Sequence, residues 1–123
     1  MRYVALAADY DGTLASDGAI YPDTIAAMER LVASGRKIIL VTGRILPELL
    51  EIFPRISLCE LVVAENGGLL YRPATKEITL LASAPRPAFL EEVQRRGVQH
   101  LSLGHIIVAT RVPYETVILD IIR

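Results

Sequence analysis

Three short apolar runs, each breaking off at a cluster of small, polar or charged residues, constrain this chain more than any other feature. Tyr3-Val4-Ala5-Leu6-Ala7-Ala8 stops at Asp9, Ile38-Ile39-Leu40-Val41 stops at Thr42-Gly43-Arg44, and Leu61-Val62-Val63-Ala64 stops at Glu65-Asn66-Gly67-Gly68. Continuous apolar character over so few residues reads as a strand buried on both faces, the habit of parallel sheets. Helical patterns separate the runs. Pro22 and Asp23 open the first, Ile25, Met28, Leu31 and Val32 recur at helical spacing, and Gly35 supplies the stop. The second covers residues 45–53 and ends before Pro54.

Strand, helix, strand, helix, strand predicts an α/β fold built on a partial doubly wound, Rossmann-like parallel sheet. Ligands of such sheets bind beyond the carboxyl ends of the strands. All three polar clusters fall there, which chance would not arrange. Residues 69–72 and 77–81, joined by a Pro-containing turn, read as a hairpin. The segment between Asp11 and Tyr21 reads as a loop rich in Gly, Asp and Ser. Beyond residue 84 the pattern changes: Pro85 and Pro87 mark a linker, then come a helix over 88–96, a strand over 106–110 and a helix from residue 114. The expected organisation is therefore 1–84 as the N-terminal part of a core and 85–123 as the start of an α+β unit. A length of 123 residues suits one domain better than two complete ones.

Composition excludes several function classes. Lys and Arg number 13 against 14 Asp and Glu, so there is no basic excess for a nucleic acid partner. Two Phe and no Trp leave little for base stacking. The apolar fraction is 52%, yet no apolar run approaches the ~20 residues of a membrane helix. The first apolar run passes straight into acids, unlike a secretory signal, and the lone cysteine, Cys59, suits a reducing compartment, so the expected location is cytoplasmic. A single Cys ahead of an apolar run, with no His nearby in sequence, reads as packing rather than a nucleophile. The mean hydropathy of +0.40 is high for a small soluble protein and implies apolar faces that expect a cover, for instance in a homo-oligomer.

Chemistry concentrates in Asp9-Tyr10-Asp11-Gly12-Thr13-Leu14. Two carboxylates two residues apart, just past a strand, can face one pocket if the backbone turns, and Gly12 permits that turn. Such a pair can bind a hard divalent cation or divide the roles of nucleophile and general acid–base. Asp-Gly alone would be an ordinary turn. Thr42, at the end of the second run, can donate to a phosphoryl oxygen or cap the following helix. Arg44 has two open uses: a substrate phosphate, or an ion pair with an acid such as Glu48. Asn66 and Gly67 suit a tight turn on steric grounds alone. His100 and His105 have no acid cluster in sequence around them and read as surface positions. Glu91-Glu92 and Arg95-Arg96 read as a solvated, internally paired helix face.

The hexapeptide from Asp9 to Leu14 resembles the first motif of the haloacid dehalogenase (HAD) superfamily, and Val41-Thr42-Gly43-Arg44 resembles its second. Ala64-Glu65-Asn66-Gly67-Gly68 is similar to the loop of the subgroup with a large α/β cap, which includes sugar-phosphate phosphatases and phosphomannomutases. The resemblance implies a phosphatase in which Asp9 attacks phosphorus to give an aspartyl-phosphate and Asp11 protonates the leaving group and then activates water. It implies Mg²⁺ as cofactor, held by the Asp9 carboxylate and the Asp11 backbone carbonyl. Gly12, Thr13, Thr42, Gly43, Arg44 and Asn66 would contact or position the phosphate and substrate. The family's dehalogenases lack the second acid and its ion pumps carry Thr there, so Asp11 points to a phosphatase or a phosphomutase. The substrate would be a phosphorylated small molecule, such as a sugar phosphate.

The family's third motif, a Lys, and its fourth, an acidic pair, have no counterpart here. The only lysines are Lys37 and Lys76, neither in a suitable place. The expectation is thus the N-terminal half of such an enzyme, truncated and weakly active or inactive alone, with an unpaired sheet edge and a bare apolar face. The alternatives are a non-catalytic half-protein that binds a phosphorylated ligand or assembles with itself, and a phosphomutase fragment.

Overall fold

A computed structural model describes residues 2–123. The main sheet has five strands, β1 (Ala5–Asp9), β4 (Lys37–Val41), β5 (Leu61–Ala64), β6 (Leu69–Arg72) and β7 (Glu77–Leu80), in the order β1-β4-β5-β6-β7. β1, β4 and β5 run parallel, while β6 and β7 form the antiparallel hairpin that the sequence predicts. Helices α1 (Pro22–Ala33) and α2 (Leu46–Ile52) connect the parallel strands.

Each strand after β1 is added on the same side of its predecessor. Right-handed crossovers then place both connecting helices on one face of the sheet. The buried residues agree: Met28 of α1 and Leu46 and Leu49 of α2 share one core with Ile38 and Leu40 of β4, Val62 and Ala64 of β5, and Leu69 and Tyr71 of β6. The alternation in β4 and β5 follows, with every second residue buried. A reversal of strand order, which would carry helices to the opposite face, does not occur among the described residues.

One expectation needs correcting. β1 reads in sequence as buried on both faces, yet four of its five residues are exposed, and Leu6 is 46% accessible. The cause is position. β1 pairs only with β4 among the described strands, so it forms an edge whose face is only partly covered. Val41, in register with Asp9, is likewise 42% exposed on the face away from the core.

The segment 11–21, read as loop, holds a small hairpin, β2 (Ala15–Ser16) with β3 (Ala19–Ile20). Its turn places Asp17 at φ +51° and Gly18 at φ +82°, the left-handed pair favoured in two-residue hairpins. The buried Tyr10 donates its hydroxyl to Gly18 O at 2.7 Å and so ties this hairpin to the end of β1. Helices α3 (Pro87–Arg95) and α4 (Glu115–Ile122) pack on each other. Between them lies a two-stranded ribbon, β8 (Ser102–Leu103) with β9 (Val108–Ala109). The predicted strand over 106–110 is thus shorter than expected, and β8 was not foreseen. Glu92 pairs with Arg95 at 2.6 Å and with Arg96 at 2.8 Å on α3, as its spacing suggests, but Glu91 takes no part in that pairing. Cys59 is buried, and that burial pushes its thiol up to about 11, as packing requires and nucleophilic chemistry does not. No described helix is long and apolar enough to cross a membrane.

Leu40 and Val62, both fully buried at the centre of the core, set the scale of its stability. Leu40→Ala should lower the unfolding free energy by roughly 2–5 kcal/mol, read as a fall in the urea midpoint with an unchanged slope. A loss below about 0.5 kcal/mol, the level of an exposed position, would mean that this core is not the one that folds.

Candidate active site

β1, β4 and β5 end side by side, so the three polar clusters meet at one sheet edge. Asp9 closes β1 with an exposed side chain, in register with Val41, the residue before Thr42. Gly12, at φ +75°, turns the chain sharply behind it. The carbonyl of Tyr10 accepts from the amides of Thr13, Leu14 and Ala15 at 3.4, 3.1 and 2.8 Å, which winds residues 10–15 into a compact loop. Thr13 is exposed on that loop.

Asp11 projects toward β4. Its carboxylate takes both arms of the Arg44 guanidinium, Nε at 2.7 Å and Nη2 at 2.8 Å, in a two-point pair. Arg44 therefore pairs with Asp11 rather than with Glu48, although Glu48 adds a weaker field. The guanidinium also lies 5.8 Å above the Tyr10 ring. These hydrogen bonds hold the Asp11 carboxyl below the usual carboxylate range, against a smaller opposing effect of burial. A cleft of about 550 Å³ opens beside the pair, lined by Thr13, Asp17, Tyr21 and Thr24 as well as Asp11 and Arg44.

Thr42 is buried, and its hydroxyl accepts from the Arg44 amide at 3.1 Å. It shapes the turn that aims Arg44 and does not cap α2, whose N-cap position is Ile45. The β4 and β5 loops are then laced together: Glu65 N donates to Arg44 O at 3.0 Å and Asn66 N to Thr42 O at 3.3 Å. Gly43 packs closely on the Asn66 side chain, since a Cβ there would sit 2.5 Å from Asn66 Oδ1. Thus Asp11 and Arg44 touch directly, Thr42, Gly43 and Asn66 form one layer beside them, and Asp9, Gly12 and Thr13 share the same edge.

One residue of the site escaped sequence reasoning. Glu65 is 1% exposed and stands at φ +53°, followed by Asn66 at +57° and Gly67 at +87°. Left-handed backbone costs a bulky L-residue roughly 1–2 kcal/mol, so Glu65 must be held there by something. Its Oε1 accepts from Ile106 N at 2.7 Å and Ile107 N at 3.2 Å, and its Oε2 from Leu46 N at 3.2 Å. Burial alone would raise its pKa, but these backbone donors and that of His105 outweigh it and hold the carboxyl below the usual range. They also explain the short β9: the amides of Ile106 and Ile107 are spent on a carboxylate instead of a strand. The sequence signal was present in a Glu between a buried strand and a left-handed Asn-Gly turn, where an exposed acid has no reason to be.

The donor set for Mg²⁺ is hard oxygen, in keeping with that ion, but small. Asp9 offers a carboxylate that no described side chain engages and Asp11 a backbone carbonyl, while the Asp11 carboxylate is engaged by Arg44. No cluster of three or more His, Cys, Asp or Glu residues is found among the described residues. Lys37 pairs with Glu60 at 2.9 Å at the start of β4, the end of the strand away from the site, and Lys76 sits in the β6–β7 turn. Arg44 is therefore the local cation.

The sequence profile of haloacid dehalogenase-like hydrolases matches residues 6–100. The chain belongs to this family. Within it, the chain is 33% identical over 113 residues to a phosphoglycolate phosphatase of Haloarcula marismortui, covering 86% of this chain and 46% of that protein. It is also 33% identical over 76 residues to a phosphatase-named protein of Metamycoplasma hominis, covering 59% and 27%. Among solved structures, a HAD subclass IIB sugar phosphatase superposes with a TM-score of 0.58 at 27% identity, covering 92% of this chain and 45% of that one. A HAD-like hydrolase from Bacteroides thetaiotaomicron reaches 0.69 at 19% identity, covering 98% and 49%. The chain spans about half or less of the length of these HAD relatives.

The Arg44–Asp11 pair makes a testable statement about pH. A carboxyl whose folded pKa is depressed stabilises the fold above its ordinary pKa and loses that contribution as pH falls through the depressed value. Arg44→Gln should move the Asp11 carboxyl carbon titration in NMR upward, to the ordinary Asp range, and shallow the acid limb of stability. An unchanged titration would mean that the pair does not form in solution.

Proposed function

We propose that this HAD-like chain carries the nucleophile-bearing half of a phosphomonoester hydrolase site, working through an aspartyl-phosphate on Asp9. The observation that supports this most directly is the pairing of roles at one edge: an exposed, uncommitted carboxylate on Asp9, two residues before a carboxylate engaged by Arg44. Residues 1–84 would supply this half and residues 85–123 the beginning of a cap. Two relatives bear phosphatase names, one of them for phosphoglycolate, and a similar structure is a sugar phosphatase. A small phosphorylated organic acid or sugar is the substrate class that these names favour.

In the proposed reaction an Asp9 oxygen attacks phosphorus as the bond to the leaving oxygen breaks. That oxygen takes a proton from Asp11. Asp11, now a carboxylate, accepts a proton from water, whose oxygen attacks phosphorus and releases Asp9 and inorganic phosphate. Thr42, Gly43 and Asn66 orient the phosphoryl group. Asp9 and the Asp11 carbonyl would hold Mg²⁺, which would supply charge neutralisation for the phosphoryl oxygens.

Arg44 reconciles two demands on Asp11. While the pair stands, Asp11 is held ionised, the state of a base. A phosphate that engages the same guanidinium would weaken that hold and ease the proton transfer asked of Asp11 as an acid.

Hydrolysis of an aryl phosphate by the 123-residue chain tests the proposal. Turnover should require added Mg²⁺ and be slow, since each missing charge-stabilising donor lowers such rates by about 10²–10³. Asp9→Asn should abolish it, and acid-quenched protein should carry phosphate on Asp9 only in the parent. Equal turnover by the two proteins would remove Asp9 from the chemistry.

A further inference from the structure

The ribbon β8–β9 reaches the active-site edge through one carboxylate. Residues 104–107, its connecting turn, lie in a fitted seat. Glu65 Oε1 takes the amides of Ile106 and Ile107. A Cβ on Gly104 would run into Glu65 Oε1 and come within 2.6 Å of its Cδ. A Cβ on Gly68 would come within 2.8 Å of Ile106 Cγ2. His105 Nδ1 stands 3.5 Å from Glu65 Oε2. Four observations from different residues thus describe one docking contact between a loop of the sheet and a ribbon some 40 residues later, with two glycines shaped to it.

The carboxylate is 1% exposed and committed to backbone amides. Oε1 accepts twice, while Oε2 accepts from Leu46 and faces His105. Its role is therefore to position rather than to react. Its reach is wide, because its own amide bonds Arg44 O and the next amide bonds Thr42 O. Through its side chain Glu65 holds the ribbon and the start of α2; through its backbone it holds the loop that aims Arg44 at Asp11.

We propose that Glu65 is a latch, a positioning residue that fixes the turn 104–107 of the second segment against the β4 and β5 loops and keeps both in one register. When the latch opens, the ribbon is released locally while the core sheet stays folded. The active-site loops then lose the same anchor, so the position of the ribbon and the aim of Arg44 are coupled. The inference rests on contacts alone and does not depend on the phosphatase reading.

Amide hydrogen exchange on the 123-residue chain reads this directly. In Glu65→Ala the amides of Ile106 and Ile107 should exchange faster by roughly 10- to 100-fold, the factor expected for a lost charge-assisted hydrogen bond. The amides of Leu40 and Val62 should keep their parent rates, because opening is local. Glu65→Gln, which retains one acceptor oxygen, should fall between parent and Ala. Gly104→Ala keeps the carboxylate but fills its space, so it should reproduce the local acceleration; it also decides the matter if Glu65→Ala does not fold. Acceleration spread evenly over ribbon and sheet in these variants would make Glu65 a plain core residue and overturn the latch. So would unchanged protection of Ile106 and Ile107.

Discussion

A buried carboxylate bonded by backbone amides holds the upper edge of this structure together. Glu65 sits at the end of β5, in a backbone conformation that disfavours it, and accepts amides from the start of α2 and from the β8–β9 turn. Neutral partners could satisfy those amides too, but hydrogen bonds to an ionised acceptor are about twice as strong, which suits a site that must offset left-handed strain. Because Glu65 and Asn66 also donate backbone bonds to Arg44 and Thr42, the geometry of the reactive edge depends on that one buried acid. Asp11 is then placed by Arg44, so the order of dependence runs from Glu65 to Arg44 to Asp11.

The topology explains why the site lies where it does. Parallel strands joined by right-handed crossovers end at the same edge, and any polar residue just past each strand is delivered there. The same winding puts both helices on one face, which leaves β1 and part of the opposite face open. The high apolar content has a structural counterpart in exposed Leu6, Val41, Leu119 and Ile122. It is a property of where these residues stand in the sheet and in α4, not of a poorly formed core.

Much of this was legible in the sequence because it rests on local rules. The apolar runs located β1, β4 and β5, Pro22 and Pro54 bounded helices, and the Gly-containing clusters marked the loops. What was illegible was long-range or two-bodied. Arg44 and Asp11 are 33 positions apart, and no spacing rule pairs them, whereas Glu48 lies only four positions on. The exposure of β1 depends on which strands flank it, while an apolar run looks alike at an edge and at a centre. The burial of Glu65 is decided by amides 41 and 42 residues later, which also cut short the strand expected at 106–110. The β2–β3 hairpin was an avoidable miss, since Asp17-Gly18 is a common two-residue turn.

Exposure sets the limit on what this edge can do electrostatically. Asp9 is open to solvent, and the paired side chains of Arg44 and Asp11 keep 31% and 48% of their accessibility. Two unit charges about 4 Å apart interact by about 1 kcal/mol in water but about 4 kcal/mol at the effective dielectric of a protein surface. An anion at this open edge would feel Arg44 near the weaker limit. The cleft beside the pair is lined by the β2–β3 hairpin and the start of α1, while the ribbon seats on Glu65 and Gly68, on the β5 side. A ribbon held in register by a buried acid, instead of by an exposed ion pair, is little affected by salt. The two sides of the edge therefore differ in kind: the Arg44–Asp11 pair is exposed and open to screening, whereas the seat at Glu65 is buried and held by backbone amides.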